Sequence, residues 1–272
     1  MHIPELFAWS WTGHGALTSA AVTAAISQFV TLGKSFLEKR FVEIYKVWLA
    51  FQLSKPESAG PPRTSAQDCL LEMMAILPSR VQREDIHPAN IPVIGEPLNP
   101  KTGQVRHFMR SSASVSSLEA YNASKSYIIK HLTDAWSKYR EAIKYQDKWY
   151  EVITSSSSLF WDGNFELGRA LHTIEDSYAP GHVTRVPGSG FIVRVNIWDD
   201  ENRKPDLSKH WLGHHALDEP AHSQAFYVMA QETTTALIVC VLRNLDQEPH
   251  DFTKDLTDSI ERYFHLGLAF EK

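Results

Sequence analysis

The sequence predicts an all-α fold, a single-domain helical bundle with long ordered loops, and three observations favour it. Apolar residues recur at helical spacing through most of the chain, and few segments alternate as strands do. Stretches rich in Pro, Gly and Asn separate the helical segments. The 272 residues, 43% of them hydrophobic, can bury one large core, so we expect residues 1–272 to form one domain.

Hydrophobic periodicity gives the order of the helices. They are predicted over residues 13–30, 34–53, 65–79, 117–146, 165–178 and 219–245, with a short terminal helix near Ile260. The stretch "REDIHPANIPVIGEPLNPKTGQVRHF", rich in Pro, Gly and Asn, is predicted to be a long ordered loop or a short hairpin. Long loops in compact domains are usually functional, so we expect this one to border a site.

Composition and charge exclude several classes of protein. A net charge of −5 gives no overall attraction for nucleic acid, so we expect no stable complex with it. The two cysteines, Cys69 and Cys240, are too few for a disulfide framework and are predicted to be buried apolar residues. The most apolar window, "TTTALIVCVLRNL", is broken at Arg243 before it could span a bilayer. The N-terminus shows no Sec signal, which predicts a cytoplasmic protein or one exported by another route.

Thirteen histidines stand out in this composition, and the stretch "LGRALHTIEDSYAPGH" holds two of them beside a carboxylate. His172 and Asp176 are four residues apart, which places them on one face of a helix. His182 follows Pro180, beyond the predicted end of that helix. Imidazole nitrogens and carboxylate oxygens are zinc ligands, and a carboxylate can bridge two ions. A hydrogen-bonded His–Asp pair would explain the same spacing.

A second helical pair lies in "KHWLGHHALDEPAH", where the register is ambiguous. His214 and Asp218 are four residues apart, and so are His215 and Glu219 one residue on. We favour His214 with Asp218, because Glu219 precedes Pro220 and can instead start the following helix.

Three further candidates lie near loops or helix ends. His14 falls at the start of the first helix, and Asp85 and His107 flank the long loop. The candidate ligands number eight nitrogen or oxygen donors with no thiolate: His14, Asp85, His107, His172, Asp176, His182, His214 and Asp218. Such a set is typical of a multinuclear hydrolytic zinc centre rather than a structural zinc finger.

These residues carry a resemblance to a known family. The ordered set "GHGALT", "RED", "RHF", "LGRALHTIEDSYAPGH" and "HHALDEPAH" resembles the zinc-dependent phospholipase C family, whose fold is shared by fungal zinc-dependent single-strand nucleases. The resemblance spans residues 9–222, and its most specific part is H-x3-D-x5-H with the preceding Leu-Gly. It implies an all-α bundle in which three zinc ions line a cleft.

The resemblance also implies a role for each ligand. One ion would be held by His107, His172 and Asp176, with Asp85 beside it. A second would be held by His182, His214 and Asp218. A third would be held by His14 and the bridging Asp176. Asp85 would be the catalytic residue that orients or deprotonates the attacking water.

The third zinc site departs from the family, in which the amino group and carbonyl of an N-terminal Trp complete it. Trp9 stands five residues before His14, but eight residues precede it. Either the amino group of Met1 takes the place of the amino group of an N-terminal Trp, or cleavage before Trp9 exposes the amino group of Trp9. We therefore expect two to three zinc ions.

The resemblance implies hydrolysis of a phosphodiester, and first a phospholipase C that releases diacylglycerol and a phosphorylated head group. A nuclease or nucleotidase is the alternative, favoured by the spacing from Trp9 to His14. A family member acting on another small molecule, or a metal-binding protein without turnover, also remains open. Apolar residues in "HPANIPVIGEPL" and "GSGFIVRVNIW" predict a lipid-accepting rim and transient contact with a membrane surface. The head group and the oligomeric state stay open.

The ambiguous register gives the first testable prediction. We expect His214→Ala to lower the zinc content of the purified protein by one ion and His215→Ala to keep it, because one imidazole of the pair faces the cluster. Plasma emission spectroscopy counts the ions. Loss of zinc in His215→Ala with full content in His214→Ala would reverse the choice.

Overall fold

The structure, a computed structural model, describes residues 13–52, 63–86, 105–110, 114–145, 156–197 and 224–271. These residues are mostly helical, and they include one two-stranded sheet. The predicted all-α fold is therefore confirmed.

The described helices, in chain order, are α1 (His14–Thr31), α2 (Ser35–Gln52), α3 (Ala66–Met74), α4 (Leu77–Ile86), α5 (Ser117–Lys144), α6 (Ser156–Asp176), α7 (Gln224–Arg243) and α8 (Pro249–Tyr263). A 3₁₀ turn spans Val105–His107, and the strands are β1 (Val183–Arg185) and β2 (Ile192–Val195). The N-terminus of α5 is fixed by a capping box, in which Ser116 and Glu119 each bond the other's backbone N–H.

Helix α6 is the central element of the fold. It packs most extensively against α5 and also contacts α1, α2, α4 and α7, so its C-terminal half is buried all round. Two glycines allow close approach. A Cβ at Gly163 would lie 2.5 Å from the ring of Tyr139 on α5, and one at Gly168 would lie 2.8 Å from the Cβ of Arg80 on α4. The resulting tight packing holds the end of α6 in a fixed position.

Helix α7 packs mainly against α1 and also against α8. It is long and apolar enough, by length and composition only, to cross a membrane. Half of its most apolar window is buried inside the structure. The core helix of a soluble protein can have the same length and apolar composition. Next to it, Trp136 of α5 stacks on Phe252 of α8 with ring centroids 4.5 Å apart, which closes this end of the core.

The two strands form an antiparallel hairpin directly after α6, with Val183 opposite Val195. Gly188 and Gly190 adopt positive φ in the connecting turn, a conformation that glycine tolerates without steric cost. The buried Arg185 anchors the hairpin to the end of α6, because its Nε donates to the carbonyl of Ser177 at 2.8 Å. The start of the hairpin is therefore fixed relative to α6.

Several boundaries differ from the prediction. The helix predicted over residues 65–79 is two helices, α3 and α4, which are separated at residues 75–76. Pro78 lies in the first turn of α4, where its missing N–H costs no hydrogen bond. The prediction that the loop begins at Arg83 is wrong, since α4 continues to Ile86 and includes Asp85. Residues 87–104 lie outside the described part of the chain.

Helix α6 also begins earlier than predicted, at Ser156 rather than Phe165. The serines that open it carry little apolar signal, and packing of Leu159 and Phe160 in the core decides the boundary instead.

A buried polar contact between α5, α6 and α3 gives a stability prediction. Asn164 accepts from the hydroxyl of Tyr139 at 2.7 Å and donates to the carbonyl of Met73 at 3.0 Å. Asn164→Ala leaves both partners unsatisfied, and we expect it to lower the free energy of unfolding by roughly 2–4 kcal/mol. Asn122→Ala, on the exposed face of α5, should change it by less than about 0.5 kcal/mol. Urea unfolding measures both, and equal stability of the two variants would contradict the contact's role.

Candidate metal centre

The predicted ligands meet around the carboxylate of Asp176, the last residue of α6. His14 comes from the start of α1, His107 from the 3₁₀ turn, His172 from one turn earlier on α6, and His182 from the residue before β1. Four imidazoles that are up to 168 residues apart in sequence therefore surround one carboxylate. The prediction that His172 and Asp176 point together is confirmed.

The distances around this carboxylate are short. Nε2 of His14 lies 3.0 Å from Oδ1 of Asp176. Oδ2 of Asp176 lies 2.9 Å from Nδ1 of His107, 3.1 Å from Nε2 of His172 and 3.5 Å from Nδ1 of His182. Nε2 of His172 and Nδ1 of His107 are 3.0 Å apart. One oxygen therefore faces His14 and the other faces the remaining three imidazoles.

A strained backbone turn presents His107 to the centre. The next residue, Phe108, has φ of 51°, a left-handed conformation that is uncommon for a non-glycine residue. This turn sends the side chain of Phe108 into the core, where it stacks on Phe264 with centroids 5.8 Å apart. The hydroxyl of Thr173 on α6 donates to the carbonyl of Arg106 at 2.7 Å. The 3₁₀ turn is thus held from both sides.

The start of the hairpin presents His182. Its Nδ1 donates to the carbonyl of His107 at 2.5 Å, and the same nitrogen lies 3.5 Å from Oδ2 of Asp176. Its backbone carbonyl accepts from the N–H of Asn196 at 2.8 Å. The Asn196 side chain donates to the carbonyl of Pro180 at 3.0 Å. Pro180 therefore ends the helical region and leaves a loop whose geometry the hairpin fixes.

Two buried residues that were not predicted from the sequence, Glu175 and Thr18, lie on the other side of His14 from Asp176. Nδ1 of His14 donates to Oε2 of Glu175 at 2.6 Å, and the hydroxyl of Thr18 donates to Oε1 of Glu175 at 2.7 Å. The sequence did contain a signal, since Thr18 lies one helical turn after His14 and Glu175 directly precedes Asp176. A pattern of ligands alone does not reveal residues that contact only the ligands.

Burial raises the pKa of the Asp176 and Glu175 carboxyl groups, and the neighbouring imidazoles lower it. Burial opposes ionisation of Asp176, but the charges of His172 and His182 and hydrogen bonds from His107 and His14 hold its pKa well below the usual range. Burial raises the pKa of Glu175, against hydrogen bonds from His14 and Thr18. In the part of the chain that the structure describes, the ion-pair partners of both carboxylates are imidazoles.

This donor set fits a metal ion. Ligands about 2.0–2.1 Å from a tetrahedral zinc ion lie roughly 3.3 Å apart, close to the separations found here. Two groups in the described structure could hold an ion and share Asp176: His14, His172 and Asp176 form one, and His107, Asp176 and His182 form the other. The carboxylate of Asp176 stands where a bridging ligand would.

A third group of His131, Asp134 and Glu166 lies between α5 and α6, and it could also hold a metal ion. Its carboxylates already have cationic partners, because Lys130 contacts Asp134 at 2.6 Å and Arg169 contacts Glu166 at 3.0 Å. Burial lowers the pKa of His131. We interpret it as an ion-pair network.

The remaining predicted ligands lie outside what the structure describes. His214 and Asp218 fall in residues 198–223, as do His215 and Glu219, and Trp9 falls in residues 1–12. Asp85 lies in the last turn of α4, but its side chain is outside the described part. The roles of His214 and Asp218 as ligands of the second ion, and of Asp85 as the catalytic residue, therefore stay predictions.

Comparisons of the chain with protein-family models, with curated proteins and with solved structures find no match.

The shared carboxylate gives a prediction about metal content. Asp176→Asn keeps the size of the side chain and removes the charge that both ligand groups share, so we expect it to lower the metal content more than His14→Ala or His182→Ala does. Asp162→Asn, on the exposed face of the same helix, should keep the full content. Plasma emission spectroscopy of the purified proteins makes the comparison. Unchanged metal content in Asp176→Asn would refute the bridging role.

Proposed function

We propose that the protein is a zinc-dependent hydrolase of phosphodiesters, acting as a phospholipase C on glycerophospholipids. The observation that carries this proposal is the carboxylate of Asp176, buried and contacted through both oxygens by four imidazoles from separate parts of the chain. Donors of this type, without thiolate, suit multinuclear zinc sites in hydrolytic enzymes.

The surroundings of Asp176 support a bound cation rather than a simple hydrogen-bond network. A carboxylate at the C-terminal end of a helix faces the negative end of the helix dipole, which disfavours its charge. A buried carboxylate also loses its hydration. Zinc bound there would offset these costs and would supply the positive charge that neutralises phosphate oxygens and activates water for in-line attack.

Each predicted ligand has a role in this proposal. His14, His107, His172 and His182 would hold the ions, and Asp176 would bridge them. Asp85 would orient or deprotonate the attacking water, as the resemblance implies. His214 and Asp218 would complete the second ion's ligands.

The hairpin supports a lipid substrate over a nucleic acid. It begins one residue after His182, and its turn exposes the apolar side chains of Val186 and Phe191. Its two arginines are poorly placed to bind a polyanion, because Arg185 is buried and Arg194 forms an ion pair with Glu271 at 3.0 Å. Exposed apolar side chains on a hairpin that starts at the proposed phosphate-binding centre suit the acyl side of a phospholipid, with transient contact at the membrane surface.

The substrate class can be tested directly. We expect the zinc-loaded protein to release phosphorylated head group from dispersed phosphatidylcholine or phosphatidylethanolamine faster than it releases nucleotides from single-stranded DNA or RNA at equal phosphate concentration. A chelator should abolish the activity and added zinc should restore it, because the phosphate is bound through the metals. Faster nucleotide release would instead favour a nuclease, and no cleavage of either substrate would contradict the hydrolase.

A pair of surface variants controls for the lipid contact. Phe191→Ala should slow hydrolysis of dispersed lipid but leave hydrolysis of a soluble short-chain phospholipid unchanged, because only the dispersed substrate presents an interface. Phe36→Ala removes a more exposed aromatic on α2 and should change neither rate. Equal rates on dispersed lipid for both variants would exclude the hairpin as the lipid contact.

A further inference from the structure

We propose that Glu175 is a positioning residue for the metal centre: it fixes the orientation and tautomer of His14 so that Nε2 of His14 would bind a metal ion beside Asp176. This inference rests on the proposed metal-dependent function and deepens it, because it assigns a role to a residue outside the ligand set.

The contacts of His14 support this role. Its ring lies between two adjacent carboxylates, with Nδ1 2.6 Å from Oε2 of Glu175 and Nε2 3.0 Å from Oδ1 of Asp176. Thr18, one turn later on α1, donates to the other oxygen of Glu175. The two side chains of the His14–Glu175 pair are 1% and 0% exposed, so water does not compete for these contacts.

The tautomer follows from the donor and acceptor inventory. When Nδ1–H of His14 donates to Glu175, Nε2 is the ring nitrogen that faces Oδ1 of Asp176, 3.0 Å away. A metal ion bound there would contact both Nε2 and Oδ1. A carboxylate behind the ligating imidazole is the arrangement that orients histidine ligands in metal sites.

The His131–Glu166 pair shows how this arrangement differs from an ordinary ion pair. There too Nδ1 of a histidine contacts a glutamate. Glu166, however, is 22% exposed and also contacts Arg169, whereas the described ion-pair partner of the fully buried Glu175 is His14. Burying a carboxylate without a Lys or Arg partner is costly, and a metal ion bound to His14 would offset that cost through the imidazole.

The test measures metal binding rather than turnover. Metal-free protein is titrated with Co²⁺, and the absorption bands of the bound ion give the affinity of each site. We expect Glu175→Gln to weaken one Co²⁺ site roughly 10–100-fold and to leave the other sites at wild-type affinity, because it removes charge from behind one ligand. Glu166→Gln makes the same change in the matched His131–Glu166 pair and should keep every affinity.

Two further variants separate positioning from folding. Thr18→Val removes the hydroxyl that holds Glu175 and should weaken the same Co²⁺ site by a smaller factor, and Thr18→Ser should restore it. Circular dichroism on heating checks that each variant is folded. A wild-type protein that binds no Co²⁺ would contradict the proposed function itself. A wild type that binds Co²⁺, with identical affinities in Glu175→Gln, would overturn the role of Glu175 alone.

Discussion

Asp176 contacts imidazoles from four places in the chain, and several elements of the fold are fixed where these contacts form. Its carboxylate lies at the end of the central helix α6, where burial and the helix dipole both oppose a negative charge. The close packing of α6 on α4 and α5, the strained turn at residues 105–108 and the anchored hairpin all serve to bring basic nitrogens to this point. The fold stabilises the site mainly by fixing where α6 ends.

How far the sequence predicts this arrangement depends on the range of each contact. Helical periodicity predicted the all-α class and the shared face of His172 and Asp176, because both follow from spacing within one helix. The break between α3 and α4 and the early start of α6 were missed, since tertiary packing decides them. The approach of His14 to His172, with ring centroids 5.0 Å apart, could be expected only from the family resemblance. Glu175 was missed because a search for metal ligands does not select a residue that contacts only a ligand.

The distribution of charge connects the fold to the proposed chemistry. Two arginines near the site already have partners: Arg185 is buried and holds the hairpin, and Arg106 lies 3.9 Å from a carboxylate oxygen of Glu84. The centre itself combines the carboxylates of Asp176 and Glu175 with four imidazoles, a set of donors that suits a divalent cation rather than a bound anion. An anionic substrate would then be attracted by the metals, and the surrounding apolar surface would select among phosphodiesters.

The left-handed conformation of Phe108 has a consequence for any attempt to make this protein more stable. A glycine at this position would relieve the backbone but remove the aromatic anchor against Phe264, and most other residues would keep the strain without the anchor. No single substitution at position 108 is therefore expected to raise the stability of the protein. The backbone strain at Phe108 positions the imidazole of His107. Substitutions that raise thermal stability should therefore be sought elsewhere in the bundle.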